Sequence, residues 1–346
     1  MAVIDVFNGD ADGLCALVQL RLADPQESQL VSGVKRDIAL LDRVEAGEGD
    51  RVTVLDVSLD KNREGLTALL ANGAEVFYVD HHFAGDIPEH AKLSTKINTA
   101  ADVCTSLLVN GYLQGEYALW AIVGAYGDNL RKSAQTLAAQ QNVAEADLEK
   151  LENLGIYLNY NGYGASLDDL HFTPTELFAE LLPFSNPLDF IADSAGTFSK
   201  LESGYHSDMT AAAQLPPVRS SDIAAVYVLP NERWARRVSG VYSNDLANAH
   251  PDRAHAVLTE KADGNYLDRL SYRPHHPDGL GTRNTYGQSL SHYQARRGNS
   301  APAPQYQNPR SLEPDKQREV HRPECSDNPH QQALKLPYSL YQLAHD

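Results

Sequence analysis

The stretch VIDVFNGDADG, residues 3–13, decides the fold, because an apolar run passes there into a polar loop that contains two aspartates. Val3–Phe7 predicts a β-strand, and Gly13–Leu22 predicts the helix that follows it. A strand that leads through a short loop into a helix is the repeating unit of an α/β sheet. Asp10 and Asp12 therefore follow directly on the first predicted strand.

The same alternation continues to about residue 130. Further strands are predicted at Leu30–Val34, Arg51–Val57 and Glu75–Val79, and helices near 37–46, 60–72, 103–113 and 116–126. Nearly continuous apolar strands are typical of a parallel sheet that is buried on both faces. We predict an α/β fold with a doubly wound, mostly parallel sheet, a second, smaller α/β domain and an irregular C-terminal tail.

Composition sets the expected domain boundaries. A mainly helical region, with helices predicted at 143–155 and at TPTELFAELL, ends near residue 190, and a β-rich run, IAAVYVLP, begins at Ile223. After about Tyr266 the chain becomes rich in proline, histidine and glutamine and loses its periodicity, which is unfavourable for building a core. We expect a first domain at 1–190, a linker at 191–220, a second, incomplete domain at 221–290 and an irregular tail at 291–346.

Apolar runs, the first residues and the cysteine spacing indicate the expected cellular location. The sequence has no run of about 18 apolar residues that could span a membrane. Its start, MAVIDVFNGD, lacks the basic residues and long apolar stretch of a signal peptide. The wide spacing of Cys15, Cys104 and Cys325 predicts neither a disulfide framework nor a zinc knuckle. We expect a cytoplasmic protein with no membrane partner.

The charge is unevenly distributed along the chain. The net charge is −17, from 29 basic and 46 acidic residues. Residues 267–346 hold 10 of the basic and 8 of the acidic ones, so residues 1–266 hold 19 and 38, a net charge of −19. Such a surface repels long polyanions. We therefore expect no binding of long duplex nucleic acid, whereas small phosphorylated substrates remain open.

Acidic side chains recur where the predicted strands end. Asp56 ends RVTVLDV, Asp80-His81-His82 follows EVFYV, and Asp128 lies in GAYGDN. Because the carboxyl ends of parallel strands share one edge of a sheet, these residues should converge with those of the first loop. Carboxylates with one or two imidazoles suit Mn²⁺ or Mg²⁺. The sequence thus predicts a metal site at this edge.

Taken together, NGDADG, LDV, VDHH and GDN resemble the four N-terminal motifs of the DHH phosphoesterase superfamily. Its members include RecJ exonucleases, short-oligoribonucleotide hydrolases, cyclic-dinucleotide phosphodiesterases and family II pyrophosphatases. The resemblance covers residues 1–130 and, more weakly, 225–266, which is similar to the start of the superfamily's associated substrate-binding domain. It implies a hydrolase of phosphodiester bonds in short oligonucleotides or small nucleotides, which uses two Mn²⁺ ions, with Mg²⁺ as the alternative, to activate water.

The resemblance also implies a metal-binding role for five of these residues. Asp10 would bind the first ion and Asp12 the second, and Asp56 would bridge the two. His81 and Asp128 would complete the second site.

Four further positions around the site are informative. Val6 stands where some members have a histidine, and Asn8 stands where RecJ-like members have a carboxylate, so that Asn8 offers only an amide oxygen to the first ion. The resemblance makes His82 and Asp56 catalytic, with His82 facing the substrate. Asp80 is also part of the catalytic set and orients the histidines.

Several residues are candidates for contact with a substrate phosphate. Lys35 and Arg36 follow the second predicted strand, and Arg131 follows the fourth motif. A solvated surface position is the alternative for these three. Thr105 begins a predicted helix, where helix capping is the alternative. Arg236 and Arg237 are weaker candidates in the second domain.

The resemblance breaks in the C-terminal part. The associated domain normally carries a glycine-rich GGGH-type motif, and neither GLGTRNTYG (279–287) nor ARRGNS (295–300) fits it. We therefore expect this part of the domain to be degenerate or replaced. Three alternatives stay open: a cyclic-dinucleotide phosphodiesterase, a pyrophosphatase, and a catalytically impaired protein that binds metal or nucleotide. A homodimer also stays open.

Overall fold

The computed structural model describes residues 1–193 and 196–271. The predictions for the irregular tail, and for the two glycine-containing stretches that fail to fit the GGGH-type motif, lie outside these residues. No helix within the described residues is long and apolar enough to cross a membrane.

Nine strands and ten helices are described. The strands are β1 (Val3–Phe7), β2 (Gln29–Val31), β3 (Arg51–Leu55), β4 (Glu75–Asp80), β5 (Leu93–Ile97), β6 (Arg219–Ser220), β7 (Ala224–Leu229), β8 (Ala254–Glu260) and β9 (Tyr266–Ser271). The helices are α1 (Ala11–Ala23), α2 (Arg63–Ala71), α3 (Thr105–Tyr112), α4 (Ala118–Gly127), α5 (Arg131–Gln140), α6 (Glu145–Gly162), α7 (Pro174–Leu181), α8 (Pro187–Asp193), α9 (Thr197–Ala213) and α10 (Arg233–Ala249).

The first sheet has the order β2-β1-β3-β4-β5, and all its strands are parallel. Its side chains alternate between two cores, as the period of a strand requires. Ile4 and Val6 of β1 pack in the core on one face, and Phe7 packs in the core on the other. The sheet is therefore buried on both faces, which confirms the predicted α/β class with a mostly parallel sheet.

The register brings the strand ends to one level. Phe7 lies beside Leu55, and Leu55 lies beside Val79. The loops after β1, β3 and β4 consequently leave the sheet at the same edge. This edge, called the rim below, carries the acidic motifs of the sequence and positions the candidate site.

Helix α1 is buried around its whole circumference from Ala11 to Arg21. A helix that is buried on all sides lies inside a domain. Its only buried cation, Arg21, forms a two-pronged ion pair with Asp5 of β1, with Nε 2.7 Å from Oδ2. This pairing compensates both charges, so Asp5 is a structural carboxylate.

The second sheet has the order β6-β7-β8-β9, with a parallel pair β7–β8 between two antiparallel ones. Helix α10 connects the parallel pair and buries Val238 and Val241 in a third core. Helix α6 contributes to two cores, through Leu154 and Leu158 in the first and Tyr160 in the third. The two sheets are therefore joined by a shared helix rather than by a bare linker.

Five details differ from the sequence prediction. The helix expected near 37–46 is only the 3-10 turn Leu41–Arg43, and the second strand ends at Val31. The expected linker contains helix α9, and α6 continues to Gly162 instead of stopping near residue 155. Helices α6 and α9 form because the burial of apolar side chains such as Leu158 and Leu201 outweighs the local polar composition. The chain also remains regular past Tyr266, as strand β9.

Candidate metal centre

The loop after β1 is fixed by backbone hydrogen bonds. Asp10 is the N-cap of α1, and its Oδ1 accepts from the N–H groups of Asp12 and Gly13 at 3.1 Å each. Such a cap satisfies amides that the first helical turn leaves free. A side chain at Gly13 would place its Cβ 2.2 Å from the carbonyl oxygen of Asn8. The glycine is thus required by the tight return of this loop.

Asp12 is buried and held by the start of α3. Its Oδ2 accepts from the N–H of Thr105 and its Oδ1 from the N–H of Ser106, both at 2.7 Å. Two charge-assisted hydrogen bonds from backbone amides fix the carboxylate without neutralising it. Each oxygen keeps a second lone pair for another partner.

Asp56 follows β3 in a left-handed conformation, with φ of 58°. This region costs a non-glycine residue about 1–3 kcal/mol, and such strain is typical of functional sites. Its Oδ1 accepts from the Oγ1 of Thr105 at 3.2 Å. The strained backbone aims the carboxylate into the rim beside Asp12.

His81 completes the arrangement from the end of β4. Its Nε2 lies 3.4 Å from Asp56 Oδ1, 3.7 Å from Asp128 Oδ2 and 3.9 Å from Asp12 Oδ2. On the other side of the ring, Nδ1 lies 3.0 Å from the carbonyl oxygen of Val103. A carbonyl can only accept, so Nδ1 carries a hydrogen, and Nε2 is left either to carry a proton or to offer its lone pair to a cation.

Asp128 reaches the rim because α4 ends close to the start of α1. A Cβ at Gly127 would lie 2.2 Å from the Cβ of Ala11. Only glycine allows this approach. Asp128, the C-cap of α4, then directs its carboxylate toward His81 and the loop after β1.

The pKa values of Asp56 and His81 show that the rim carries a high density of negative charge. Burial, together with Asp10 and Asp12, raises the pKa of Asp56 well above its ordinary value. Burial alone would lower the pKa of His81, but Asp56, Asp128 and Asp12 raise it to about 11. The carboxylates therefore attract positive charge to the point that His81 Nε2 faces.

The donor set Asp12, Asp56, His81 and Asp128 fits a divalent cation. Ligands at about 2.0–2.2 Å from one ion lie about 3–4.4 Å from each other. The donor atoms of Asp12, His81 and Asp128 all lie within 4.8 Å of one another, and so do those of Asp56, His81 and His82. Three oxygen donors and one imidazole suit Mn²⁺ or Mg²⁺ chemistry.

Asp80 and His82 lie at the outer side of this set. Asp80 is buried, and its Oδ1 accepts from the N–H of His81 at 2.9 Å and lies 2.7 Å from His82 Nδ1. The carboxylate thus fixes the His82 ring with Nδ1 protonated. The His82 side chain is 45% exposed, so it faces the solvent side of the rim.

At the position predicted for the first metal ion, beside Asp10, the structure places the ammonium group of Lys35. Lys35 Nζ lies 2.6 Å from Asp10 Oδ2, 3.0 Å from Asn159 Oδ1 and 3.7 Å from Asp128 Oδ1. Burial works to lower the pKa of Lys35, but Asp10, Tyr163 and Asp128 raise it well above its ordinary value. Asp10 therefore has a cation of the chain itself, and this half of the predicted two-ion set does not fit.

Asn8 remains beside this position without taking part in it. Its Nδ2 lies 3.5 Å from the carbonyl oxygen of Lys35, and its Oδ1 is buried without a hydrogen-bond partner in the described part of the chain. Asn8 Oδ1 therefore keeps its lone pairs free, and the predicted ligand role of Asn8 stays a prediction.

Two guanidinium groups lie beside Tyr163, next to Lys35. Arg269 of β9 lies over the Tyr163 ring at 4.4 Å, and Arg36 donates to Ser239 Oγ of α10 at 3.3 Å. Burial and the charge of Arg269 lower the pKa of Arg36 to about 9. Within 1–193 and 196–271, neither arginine has an ion pair of 4.0 Å or less. Neighbouring guanidiniums without a carboxylate favour an anion.

Two of the predicted phosphate contacts have different surroundings. Thr105 is fully buried and holds Asp12 and Asp56, so it positions carboxylates instead of meeting solvent. Arg131 forms a two-pronged pair with Glu152, with Nη1 2.8 Å from Oε2, so its charge is compensated. Both residues thus have partners within the chain, and their contact with a substrate phosphate stays a prediction.

Arg236 and Arg237 of α10 are structural as well. Arg236 pairs with both oxygens of Asp169, at 2.7 and 2.8 Å. Arg237 lies 2.9 Å from Asp208 Oδ2 and 3.1 Å from the hydroxyl of Tyr160. Their charges are compensated within the fold.

Sequence reasoning missed Asn159, Tyr163 and Arg269. The first two lie in LNYNGYG, whose composition predicts a polar turn but which ends helix α6. Helical spacing does not link the two residues, because Tyr163 is the C-cap of α6 and has an extended backbone. No sequence pattern pointed to Arg269, because it lies after Tyr266, where the hydrophobic periodicity is lost.

No protein-family model matches the chain, and no curated protein is found to be similar to it. Solved structures are similar at low identity. Exonuclease RecJ bound to manganese is 18% identical, over 80% of this chain and 78% of that one, with a TM-score of 0.49. RecJ in complex with Mn²⁺ from Thermus thermophilus is 17% identical, with a TM-score of 0.47, over 80% of this chain but 45% of that one.

A pGpG-specific phosphodiesterase, PggH from Vibrio cholerae, is 13% identical, over 78% of this chain and 82% of that one, with a TM-score of 0.45. At these values a likeness says nothing about activity or substrate.

Proposed function

We propose that this protein is a metal-dependent hydrolase of phosphodiester bonds in short oligonucleotides or small nucleotides. The observation that carries the proposal is the convergence of Asp12, Asp56, His81 and Asp128 around His81 Nε2. A buried cluster of this charge is unfavourable unless a cation or protons compensate it.

The remaining residues supply the rest of a hydrolytic site. A divalent cation, when bound, polarises a phosphoryl oxygen and makes water more acidic. Arg36 and Arg269 would hold a phosphate group of the substrate beside the rim. His82, held at Nδ1 by Asp80, would give the proton on Nε2 to the oxygen that leaves phosphorus.

In this scheme a water oxygen would form a bond to phosphorus while the ester P–O bond breaks. His82 would act as the imidazolium, protonated on both ring nitrogens, and the leaving oxygen would take its Nε2 proton. The attacking water would lose its proton to bulk solvent, from which His82 regains one. Asp56 Oδ1 lies 3.4 Å from His81 Nε2, and with Asp12 and Asp128 it would help to hold the cation. The scheme needs no group from outside the chain except the cation and water.

A substrate panel tests the proposal. Short RNA, short DNA, pAp, cyclic di-AMP and pyrophosphate are each incubated with the protein and Mn²⁺, with EDTA as the blank. We expect Mn²⁺-dependent cleavage of a short oligonucleotide or of pAp, and no cleavage by the Asp56→Asn variant. The Asp50→Asn variant is the matched control, because Asp50 bonds the backbone of Ala2 far from the rim.

The other outcomes assign the alternatives. Cleavage of cyclic di-AMP alone would support a cyclic-dinucleotide phosphodiesterase, and cleavage of pyrophosphate alone would support a pyrophosphatase. Stoichiometric Mn²⁺ binding without cleavage of any member would contradict the proposal and support a binding protein.

A further inference from the structure

The contacts of Lys35 are those of a bound cation. Its ammonium group touches Asp10 Oδ2 and Asn159 Oδ1 and lies 3.7 Å from Asp128 Oδ1. The side chain is 22% exposed and thus largely enclosed by its partners. Three oxygen atoms from three different loops and helices face one nitrogen, which is how oxygen ligands surround a metal ion.

The backbone fixes the lysine in this place. The N–H of Lys35 donates to the carbonyl oxygen of Gly162 at 2.8 Å, and a Cβ at Gly162 would lie 3.0 Å from the Cα of Asp10. The end of α6 therefore holds the Lys35 loop against the Asp10 loop. The packed backbone fixes the position of Lys35, so its ammonium group lies close to Asp10.

Both oxygens of Asp10 are occupied by groups of the chain. Its Oδ1 accepts two backbone N–H groups, and its Oδ2 bonds the ammonium. A divalent ion between Asp10 and Asp56 would lie next to the ammonium, and two cations in contact repel each other strongly in a buried site. Asn8, which provides no charge, does not offset this.

We propose that Lys35 takes the place of the first metal ion, so that the protein binds one divalent cation, at Asp12, Asp56, His81 and Asp128. The proposal rests on the proposed function for the chemistry of the second site. The ammonium supplies one fixed positive charge beside the cation, where it neutralises Asp10 and reaches toward Asp128.

Counting bound manganese tests this inference without an activity assay. The purified protein is dialysed to equilibrium against Mn²⁺, metal per chain is measured by mass spectrometry, and electron paramagnetic resonance distinguishes an isolated ion from a coupled pair. We expect one Mn²⁺ per wild-type chain, with the six-line signal of an isolated ion. Two Mn²⁺ per wild-type chain with a coupled signal would overturn the inference.

Substitutions identify Lys35 as the cause. Lys35→Ala frees Asp10 Oδ2 and should raise the count from one to two, whereas Lys35→Arg keeps a cation and should leave it at one. Lys61→Ala is the control, because Lys61 is 60% exposed and pairs with Asp60 on the surface. A count of one in folded Lys35→Ala, verified by circular dichroism, would contradict the role of Lys35.

A wild-type protein that binds no Mn²⁺ would overturn the proposed function as well. Failure of the inference alone, seen as two bound ions, would leave the proposed function standing. The wild-type count is decisive even if the alanine variant does not fold.

Discussion

Two regions of this molecule bury carboxylates, and they treat the charge in opposite ways. The rim site (Asp10, Asp12, Asp56, Asp128, His81 and Lys35) holds four carboxylates against one ammonium group. The arginine contact (Asp169, Asp208, Tyr160, His171, Arg236 and Arg237), which joins α6, α9 and α10, holds two carboxylates against two guanidiniums.

The pKa values show the difference directly. Burial and two neighbouring carboxylates raise the pKa of Asp56, whereas at Asp169 the bonds from Arg236 and a backbone amide outweigh burial and lower the pKa. Balanced charge is typical of a structural contact. The rim site keeps surplus negative charge, at a cost to stability, and this surplus is what a cation from solution can compensate.

The largest expected effect is at the rim. Asp56→Asn removes the carboxylate nearest His81 and should lower hydrolysis by about 1,000-fold or more, since charge stabilisation by the cation is lost. The melting temperature in EDTA should not fall, because the variant removes repulsion with Asp10 and Asp12. Retained turnover would contradict the assignment of the site.

At the arginine contact we expect a substitution to lower stability and to leave metal binding unchanged. Asp208→Asn leaves Arg237 without its carboxylate and should lower the free energy of unfolding by about 3 kcal/mol, measured in urea. Manganese binding per folded chain should be unchanged. The double variant Asp208→Leu/Arg237→Met should recover most of the loss, because it removes both charges. If it does not, the pair is not the source of the stability.

Acid should act on the arginine contact through His171. Burial, with the charge of Arg237, lowers the pKa of His171 to about 4, and its Nε2 lies 2.9 Å from the Tyr160 hydroxyl. The unfolded chain takes up the proton near pH 6.5, before the folded one does. This contribution is therefore present above pH 6.5 and is lost as the pH falls toward 4.

The size of this effect is about 1 kcal/mol between pH 7.5 and pH 4.5, because His171 is only partly buried and solvent screens its charge. It is measured as the difference between wild type and His171→Gln in urea unfolding at the two pH values. A variant that loses stability as steeply as the wild type would show that other groups cause the acid sensitivity.

The smallest effect is expected at the edge of the rim. Arg36→Met should raise KM for the cleaved substrate by about tenfold, or ~1.4 kcal/mol, with little change in kcat, because Arg36 holds phosphate equally before and during reaction. Arg43→Met is the control, since Arg43 pairs with Asp37 on the surface. Equal KM values for the two variants would remove Arg36 from the substrate site.

Much of the fold could be predicted because strands and caps are local features. The apolar run before Asn8 and the aspartates after it predict a strand, a loop and a helix start, and parallel topology places the loops at one edge. The convergence of Asp12, Asp56, His81 and Asp128 follows from those two facts.

The occupant of the Asp10 position could not be predicted. Lys35 looks like any charged residue after a strand, and only the packing of α6 against its loop brings its ammonium to Asp10. The partners of Thr105 and Arg131 could not be predicted for the same reason, because they lie 49 or more residues and 21 residues away in sequence.

One measurement tests the contrast between the two regions most directly: anomalous diffraction at the manganese edge from crystals grown with Mn²⁺. The account predicts one peak bounded by Asp12, Asp56, His81 and Asp128, with Lys35 Nζ on Asp10 and no peak at the arginine contact. A peak between Asp10 and Asp56 with Lys35 displaced, or no peak at the rim, would contradict it.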